Sequence, residues 1–268
     1  EKFKASGLKP ASAAIIMPDE EIWTGVSGMS DPTANEQIMP EMLFDIGSIG
    51  KSYLATLVLQ LIEEGRFTLD DPISEWFPSH PNINSNTTIR QLLNHTSGIH
   101  DFVKHPQSPW QLAYKSTQLW TQEKILMELV DKPYFSPGNG WHYSTTNYTL
   151  LRLIVEKATK TKVSTEIRNR FLIPLGLDGT IILDPLERLP EDINVANNWM
   201  GEFVDLAPKP QPWATTSPDL VYATAEDAAR WMHLLYHEKK VLNQKSLDQM
   251  LNFHFPTPND PPLSGYGL

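Results

Sequence analysis

The sequence contains no cysteine. That excludes disulfides, thiolate nucleophiles and cysteine-based zinc sites. It leaves the compartment open, since secreted and cytosolic proteins both manage without disulfides. Glycine is sparse beside proline, 14 against 22, which points to fixed turns between elements and not to a repeat or a flexible low-complexity chain. Basic residues are outnumbered, with 22 Lys and Arg against 32 Asp and Glu. The resulting formal charge of −10 repels nucleic acid and anionic membrane, so neither is an expected partner. Long apolar runs are missing too. The longest candidate, Tyr53 to Ile62, falls well short of the roughly 20 residues that a membrane-spanning helix needs. No amino-terminal signal peptide is visible. The start at Glu1 instead of Met reads as removal of a leading piece.

What remains is an ordinary globular composition, 268 residues with 40% hydrophobic and 20% charged, enough for one large domain or two interlocked ones. Ser12–Met17 and Glu21–Gly28 read as strands joined by a turn at Pro18-Asp19-Glu20. From Ser48 to Glu64 the pattern is helical and apolar nearly all round, with Ile49, Tyr53, Leu54, Leu57, Val58, Leu61 and Ile62. Such a helix is a buried one, and Gly65 supplies its stop. Thr88 is placed to cap a helix over Ile89–Asn94. Further helices are expected over Thr121–Val130, Asn147–Lys157 and Ser164–Phe171, then from Thr224 to His237 and over Ser246–Phe253. The Pro-rich stretch Pro208–Pro218 is the best internal boundary. The fold class that follows is α+β, a sheet region interrupted by a mostly helical insertion. The boundaries expected are 1–80 with 217–268 for the sheet part and 81–216 for the helical part.

Ser48 and Lys51 stand three residues apart at the head of the buried helix. On a helix they share a face. A serine hydroxyl attacks a carbonyl only when a base takes its proton, and lysine serves as that base where its surroundings favour the neutral amine. The first turn of a helix also favours developing negative charge. Spacing alone is weak evidence, because Ser6-Gly7-Leu8-Lys9 has the same form, and the bland alternative for Ser48 is a helix cap with a surface lysine after it.

The wider pattern is more specific. Phe44-Asp45-Ile46-Gly47-Ser48-Ile49-Gly50-Lys51-Ser52 resembles the nucleophile segment of class C β-lactamases, DD-peptidases and family VIII esterases. Leu69-Asp70-Asp71-Pro72, Ile89 to Gly98 (IRQLLNHTSG), Pro137-Gly138, Tyr143-Ser144, Pro174 to Leu177 and Ala223 to Asp227 match that superfamily in order. The resemblance implies an antiparallel sheet flanked by helices with a helical insertion, and a covalent acyl-enzyme mechanism. No cofactor and no metal are needed. Ser48 would be the nucleophile. Tyr143 would shuttle its proton with Lys51, although on its own Tyr143 reads as a half-buried packing residue.

Two departures stand out. The family's Tyr-x-Asn motif has Thr145 in place of its asparagine, and a threonine hydroxyl lacks the amide that contacts the substrate. Asn147 stands two residues on; Thr145 and Asn147 are the substrate-binding candidates. The family's late Lys-Thr-Gly or His-x-Gly strand is missing before Leu268, although Gly265-Tyr266-Gly267-Leu268 resembles its lead-in. The C-terminal strands, and with them one of two oxyanion donors, are expected to be absent. The resemblance implies small-molecule or short peptide substrates: β-lactams, D-amino-acid peptides or short-chain esters. The Thr145 departure moves the reading toward a general esterase or peptidase-like hydrolase. A second reading is a catalytically silent relative that binds a ligand, and a third is a non-covalent hydrolase using a histidine. Extracytoplasmic placement, periplasmic or secreted, is expected. The sequence carries no signal for an oligomeric state.

Other candidates have plain explanations. His95, His100, Asp101 and His105 straddle a turn, whereas metal ligands must converge. His95-Thr96-Ser97 reads as a helix-ending turn. Trp110, Trp120 and Trp141 read as packing residues.

Overall fold

The N-terminal hairpin forms from β1 (Ala11–Ile16) and β2 (Ile22–Ser27) in antiparallel register, Ala11 opposite Ser27 and Ile16 opposite Ile22. Its turn closes with the Met17 amide donating to the Glu21 carbonyl at 2.8 Å and Glu20 in the left-handed region. The computed structural model describes residues 10–31, 36–109, 119–185, 187, 189–190, 220–253 and 265–267. The Ser6–Lys9 comparison, Trp110, the Pro208–Pro218 boundary and Leu268 lie outside the described residues.

Two small sheets follow. β3 (Met29–Asp31) pairs with β4 (Glu36–Gln37). A three-stranded antiparallel sheet has the order β5 (Phe44–Asp45), β7 (Leu220–Ala223), β6 (Thr180–Leu183). None of these short strands was expected beyond the segment leading into Gly47. Every residue of β7 is buried, so no alternation of apolar and polar positions marks it, and it is too short for periodicity to register. This order seats Phe44 opposite Ala223 and so sets the chain just before Ser48 beside residues nearly 180 positions away.

The expected buried helix is α1 (Gly50–Glu63). It ends as predicted at Gly65, which adopts φ +71°. The amide of Gly65 donates to the Ile62 carbonyl and that of Arg66 to the Leu61 carbonyl, both at 3.0 Å, which is the Schellman pattern that satisfies the last carbonyls. Ser48 itself sits one step earlier, in a 3₁₀ turn over Gly47–Ile49. Asp45 Oδ1 accepts the Gly47 amide at 2.8 Å and Gly47 takes φ +52°, so the chain enters α1 through an Asx-type turn.

The helical region contains α2 (Ile89–Leu93), α3 (Gln122–Leu129), α4 (Thr145–Thr159) and α5 (Val163–Ile167). Thr88 and Gln91 form a reciprocal capping box on α2, and Thr121 caps α3. The helix expected over Ser164–Phe171 forms as a continuous helical stretch: α5 passes without a break into a π-turn over Arg168–Leu172 and then α6 (Ile173–Leu175). Thr224 caps α7 (Ala225–Met232) by accepting the Asp227 amide at 3.1 Å, and α8 is Gln244–Met250. α1 packs on α4, and one apolar core runs from α1 through α2 and α4 to Trp231 and Leu235. Arg152 of α4 and Asp184 after β6 form a buried ion pair, with Asp184 also accepting from Ser164 Oγ at 2.6 Å. Among the described residues no helix is long and apolar enough to cross a membrane.

Candidate active site

Side-chain geometry brings three of the predicted residues together. Ser48 Oγ lies 2.8 Å from Tyr143 Oη, and Lys51 Nζ donates to Ser48 Oγ at 3.4 Å. Ser48 is exposed while Lys51 is only 4% exposed. The hydroxyl therefore faces solvent from a floor that encloses the amine. Lys51 Nζ also sits 5.5 Å from the ring centre of Tyr143 and 5.4 Å from that of Tyr148, distances at which an ammonium is attracted to an aromatic face.

The helix carrying Lys51 is anchored at Ser52 and its neighbours. Ser52 Oγ donates to the Ile49 carbonyl at 2.7 Å and accepts from Trp231 Nε1 at 2.8 Å. The ring of Trp231 stacks on Tyr53 at 4.0 Å with an interplanar angle of 9°. Gly267, at φ +70°, also approaches this helix, so closely that an added Cβ would lie 2.8 Å from the Lys51 carbonyl oxygen and 2.9 Å from Ala55 Cβ and Ser52 Cα. Its amide donates to Tyr148 Oη at 2.7 Å.

Tyr143 reaches Ser48 from a loop stitched to the segment after α2. The carbonyl of His100 accepts from Ser144 Oγ at 3.4 Å and Thr146 Oγ1 at 2.7 Å, and Thr146 Oγ1 accepts the Phe102 amide at 3.0 Å. Asp101 Oδ1 accepts the Thr145 amide at 3.0 Å. That carboxylate caps the start of α4, where unpaired amides favour a negative group. Burial pushes the Asp101 carboxyl above the usual carboxylate range, against the pull of the Thr145 and Val103 amides and of Lys51.

The two substrate-binding candidates part company. Thr145 is half-buried at the head of α4, beside Tyr143. Asn147 is fully buried: its Oδ1 accepts from Ser97 Oγ at 2.7 Å and its Nδ2 faces His95 Nδ1 at 3.2 Å. Contrary to expectation, its side chain is held inside the fold and is not offered to a substrate. The reason is that this part of α4 is enclosed on all sides, every residue from Thr146 to Val155 being buried.

His95, His100, Asp101 and His105 do not meet at one point. His95 points to Ser144, Asp101 to Thr145, and the Nε2 atoms of His100 and His105 each lie 4.0 Å from Asp131 Oδ2. Among the described residues no group of three or more His, Cys, Asp or Glu can hold a metal ion. Trp120 is buried against Phe102, Ile125 and Leu129, and Trp141 meets His95 edge to face at 6.2 Å. Sequence reasoning passed over His95, Asp101 and Ser97 as turn residues. Their one sequence signal is a cluster of polar groups within an otherwise apolar helix end, which periodicity does not weigh.

Three comparisons bear on this geometry. Residues 2–268 match the family model described as Beta-lactamase. A penicillin-binding protein of Bacillus subtilis (strain 168) is 31% identical over 156 residues, covering 57% of this chain and 33% of its own. The chain thus spans about a third of that relative's length. A D-amino acid amidase from Ochrobactrum anthropi SV3, solved with L-phenylalanine amide, superposes with a TM-score of 0.80 at 28% identity, covering 98% of this chain and 76% of that one. A D-stereospecific amidohydrolase from a Streptomyces species gives a TM-score of 0.78 at 27% identity, covering 98% and 78%. With its helices around antiparallel strands, its matched sequence and its solved relatives all in agreement, the chain belongs to the beta-lactamase family.

Proposed function

We propose that this protein is a serine hydrolase working through a covalent acyl-enzyme, with Ser48 as nucleophile and Lys51 and Tyr143 moving its proton. The observation that carries the reading is the position of Ser48 Oγ, within hydrogen-bond reach of Tyr143 Oη at 2.8 Å and Lys51 Nζ at 3.4 Å. The Ser48 oxygen attacks a carbonyl carbon as its proton passes to the Lys51–Tyr143 pair. The backbone amide of Ser48 supports the resulting oxyanion. Collapse expels an alcohol or amine, which takes that proton. A water molecule, deprotonated by the same pair, then releases the acid and restores the Ser48 hydroxyl.

The substrate class proposed is a small ester or amide, with D-amino-acid amides the first to test. Two solved relatives are a D-amino acid amidase and a D-stereospecific amidohydrolase. Thr145, standing where the family's asparagine would be, favours compact substrates with little to recognise on the acyl side. Extracytoplasmic placement is part of the same proposal. The test is steady-state hydrolysis of p-nitrophenyl acetate and D-phenylalanine amide by the intact protein and by Ser48→Ala. Activity that vanishes with Ser48 supports the reading. Activity that survives in Ser48→Ala points to a non-covalent hydrolase, and no turnover in either protein points to a binding relative.

A further inference from the structure

We infer that His95 is a positioning residue for Tyr143, gripping the residues on both sides of it and backing its ring. This rests on the acyl-enzyme reading above and adds a component to it.

The grip comes from both ends of one residue. The His95 backbone carbonyl accepts the His142 amide at 3.0 Å. Its side-chain Nδ1 accepts the Ser144 amide at 3.2 Å. Tyr143 lies between those two anchored positions, and its ring centre is 4.5 Å from the imidazole with the planes inclined at 31°. His95 is itself immobilised, being 1% exposed.

The surrounding donors fix the imidazole's proton. Ser97 Oγ accepts the Ile99 amide at 3.1 Å and gives its own proton to Asn147 Oδ1 at 2.7 Å. The Asn147 amide is thereby oriented with Nδ2 toward His95 Nδ1 at 3.2 Å. Two donors, the Ser144 amide and Asn147 Nδ2, face the same nitrogen. Nδ1 therefore carries a lone pair and the ring's single proton sits on Nε2. An imidazolium would set N–H against N–H there. Burial, then Lys51 and then His142, push the His95 imidazole down to about 3, so it stays a neutral acceptor.

The position also tolerates little else. His95 has φ +61°, a left-handed conformation in which asparagine is among the few non-glycine residues at ease. Asparagine also places Oδ1 close to where Nδ1 stands, so His95→Asn keeps the acceptor while His95→Leu removes it.

The experiment is the rate of fluorophosphonate labelling of Ser48 in the intact protein, with kcat and KM for p-nitrophenyl acetate and a thermal melt for each variant. His95→Asn is expected to label within about threefold of wild type. His95→Leu is expected to label about 10- to 100-fold more slowly, with kcat lowered and KM little changed, because a displaced Tyr143 misplaces the reacting groups. A folded His95→Leu that labels as fast as wild type overturns the inference. So does a folded His95→Asn as slow as His95→Leu, which would make ring packing and not the acceptor the operative feature. If His95→Leu does not fold, His95→Asn alone decides, and a loss of tenfold or more in that folded variant overturns the inference. A wild type that never labels at Ser48 instead removes the acyl-enzyme reading, and this inference with it.

Discussion

Acid should destabilise this protein through His95, and the amount follows from the structure. The imidazole is buried beside Lys51 and is pushed down to about 3, whereas in an unfolded chain it titrates near 6.5. The unfolded state therefore takes up a proton as pH falls through 6.5, and the native state does not until about 3. Stability contributed by the neutral ring is complete above 6.5 and is lost progressively below it. Between pH 7 and pH 5 the unfolded His95 becomes almost fully protonated while the native ring stays neutral. At about 1.4 kcal/mol per unit, that interval removes about 2 kcal/mol. The assay is urea unfolding at pH 7, 6 and 5 for wild type and for His95→Asn. His100, also held below its ordinary value by burial, is present in both proteins and cancels in the difference. Wild type is expected to lose about 2 kcal/mol more than the variant across the interval. Parallel curves, the same loss in both proteins, would refute the claim that a neutral His95 is required by the fold.

Further expectations concern the site and its supports. Tyr143→Phe removes the hydroxyl that lies 2.8 Å from Ser48 Oγ and should lower kcat by about 10²- to 10⁴-fold, with the melting temperature nearly unchanged; unaltered kcat would exclude a proton-transfer role. Arg152→Met leaves Asp184, 4% exposed, without its buried cation and should cost about 3 to 5 kcal/mol in urea unfolding. A loss under about 1 kcal/mol would show that Lys162, 3.6 Å from the same carboxylate, suffices. Gly267→Ala introduces a Cβ 2.8 Å from the Lys51 carbonyl at φ +70° and should cost about 1 to 3 kcal/mol while lowering kcat. A variant with wild-type stability would mean that the segment does not bear on α1.

The parts of the fold that could be read from the sequence are those written in local chemistry. Gly65 marked the end of α1 because only a left-handed residue closes the Schellman pair there. Thr88, and Thr224 before Asp227, announced their helices through caps. β6 and β7 were missed because they are four residues long and almost wholly buried, which erases the alternation by which a strand is recognised. The helix over Ser164–Phe171 was legible, but its π-turn at Arg168–Leu172 was not, because the widened geometry leaves the apolar spacing nearly intact. At the site, the Ser48–Lys51 contact followed from a three-residue spacing, whereas Tyr143 is 95 positions from Ser48 and came only from the family motif. Asn147 was misjudged as a substrate contact because sequence order does not show that Ser97 and His95, about 50 residues away, engage its side chain inside the fold. The bracing of Tyr143 by His95, Ser97 and Asp101 depends on contacts between segments about 45 to 50 residues apart, and no local pattern encodes it.

The most direct test of the account is peptide mass spectrometry of the protein quenched during turnover of a p-nitrophenyl ester. The account predicts an acyl adduct on the peptide containing Ser48, lost in Ser48→Ala and accumulated when Tyr143 is replaced by phenylalanine if deacylation slows more than acylation. Product release from the wild type with no adduct on any peptide, or an adduct on another residue that persists in Ser48→Ala, would contradict it.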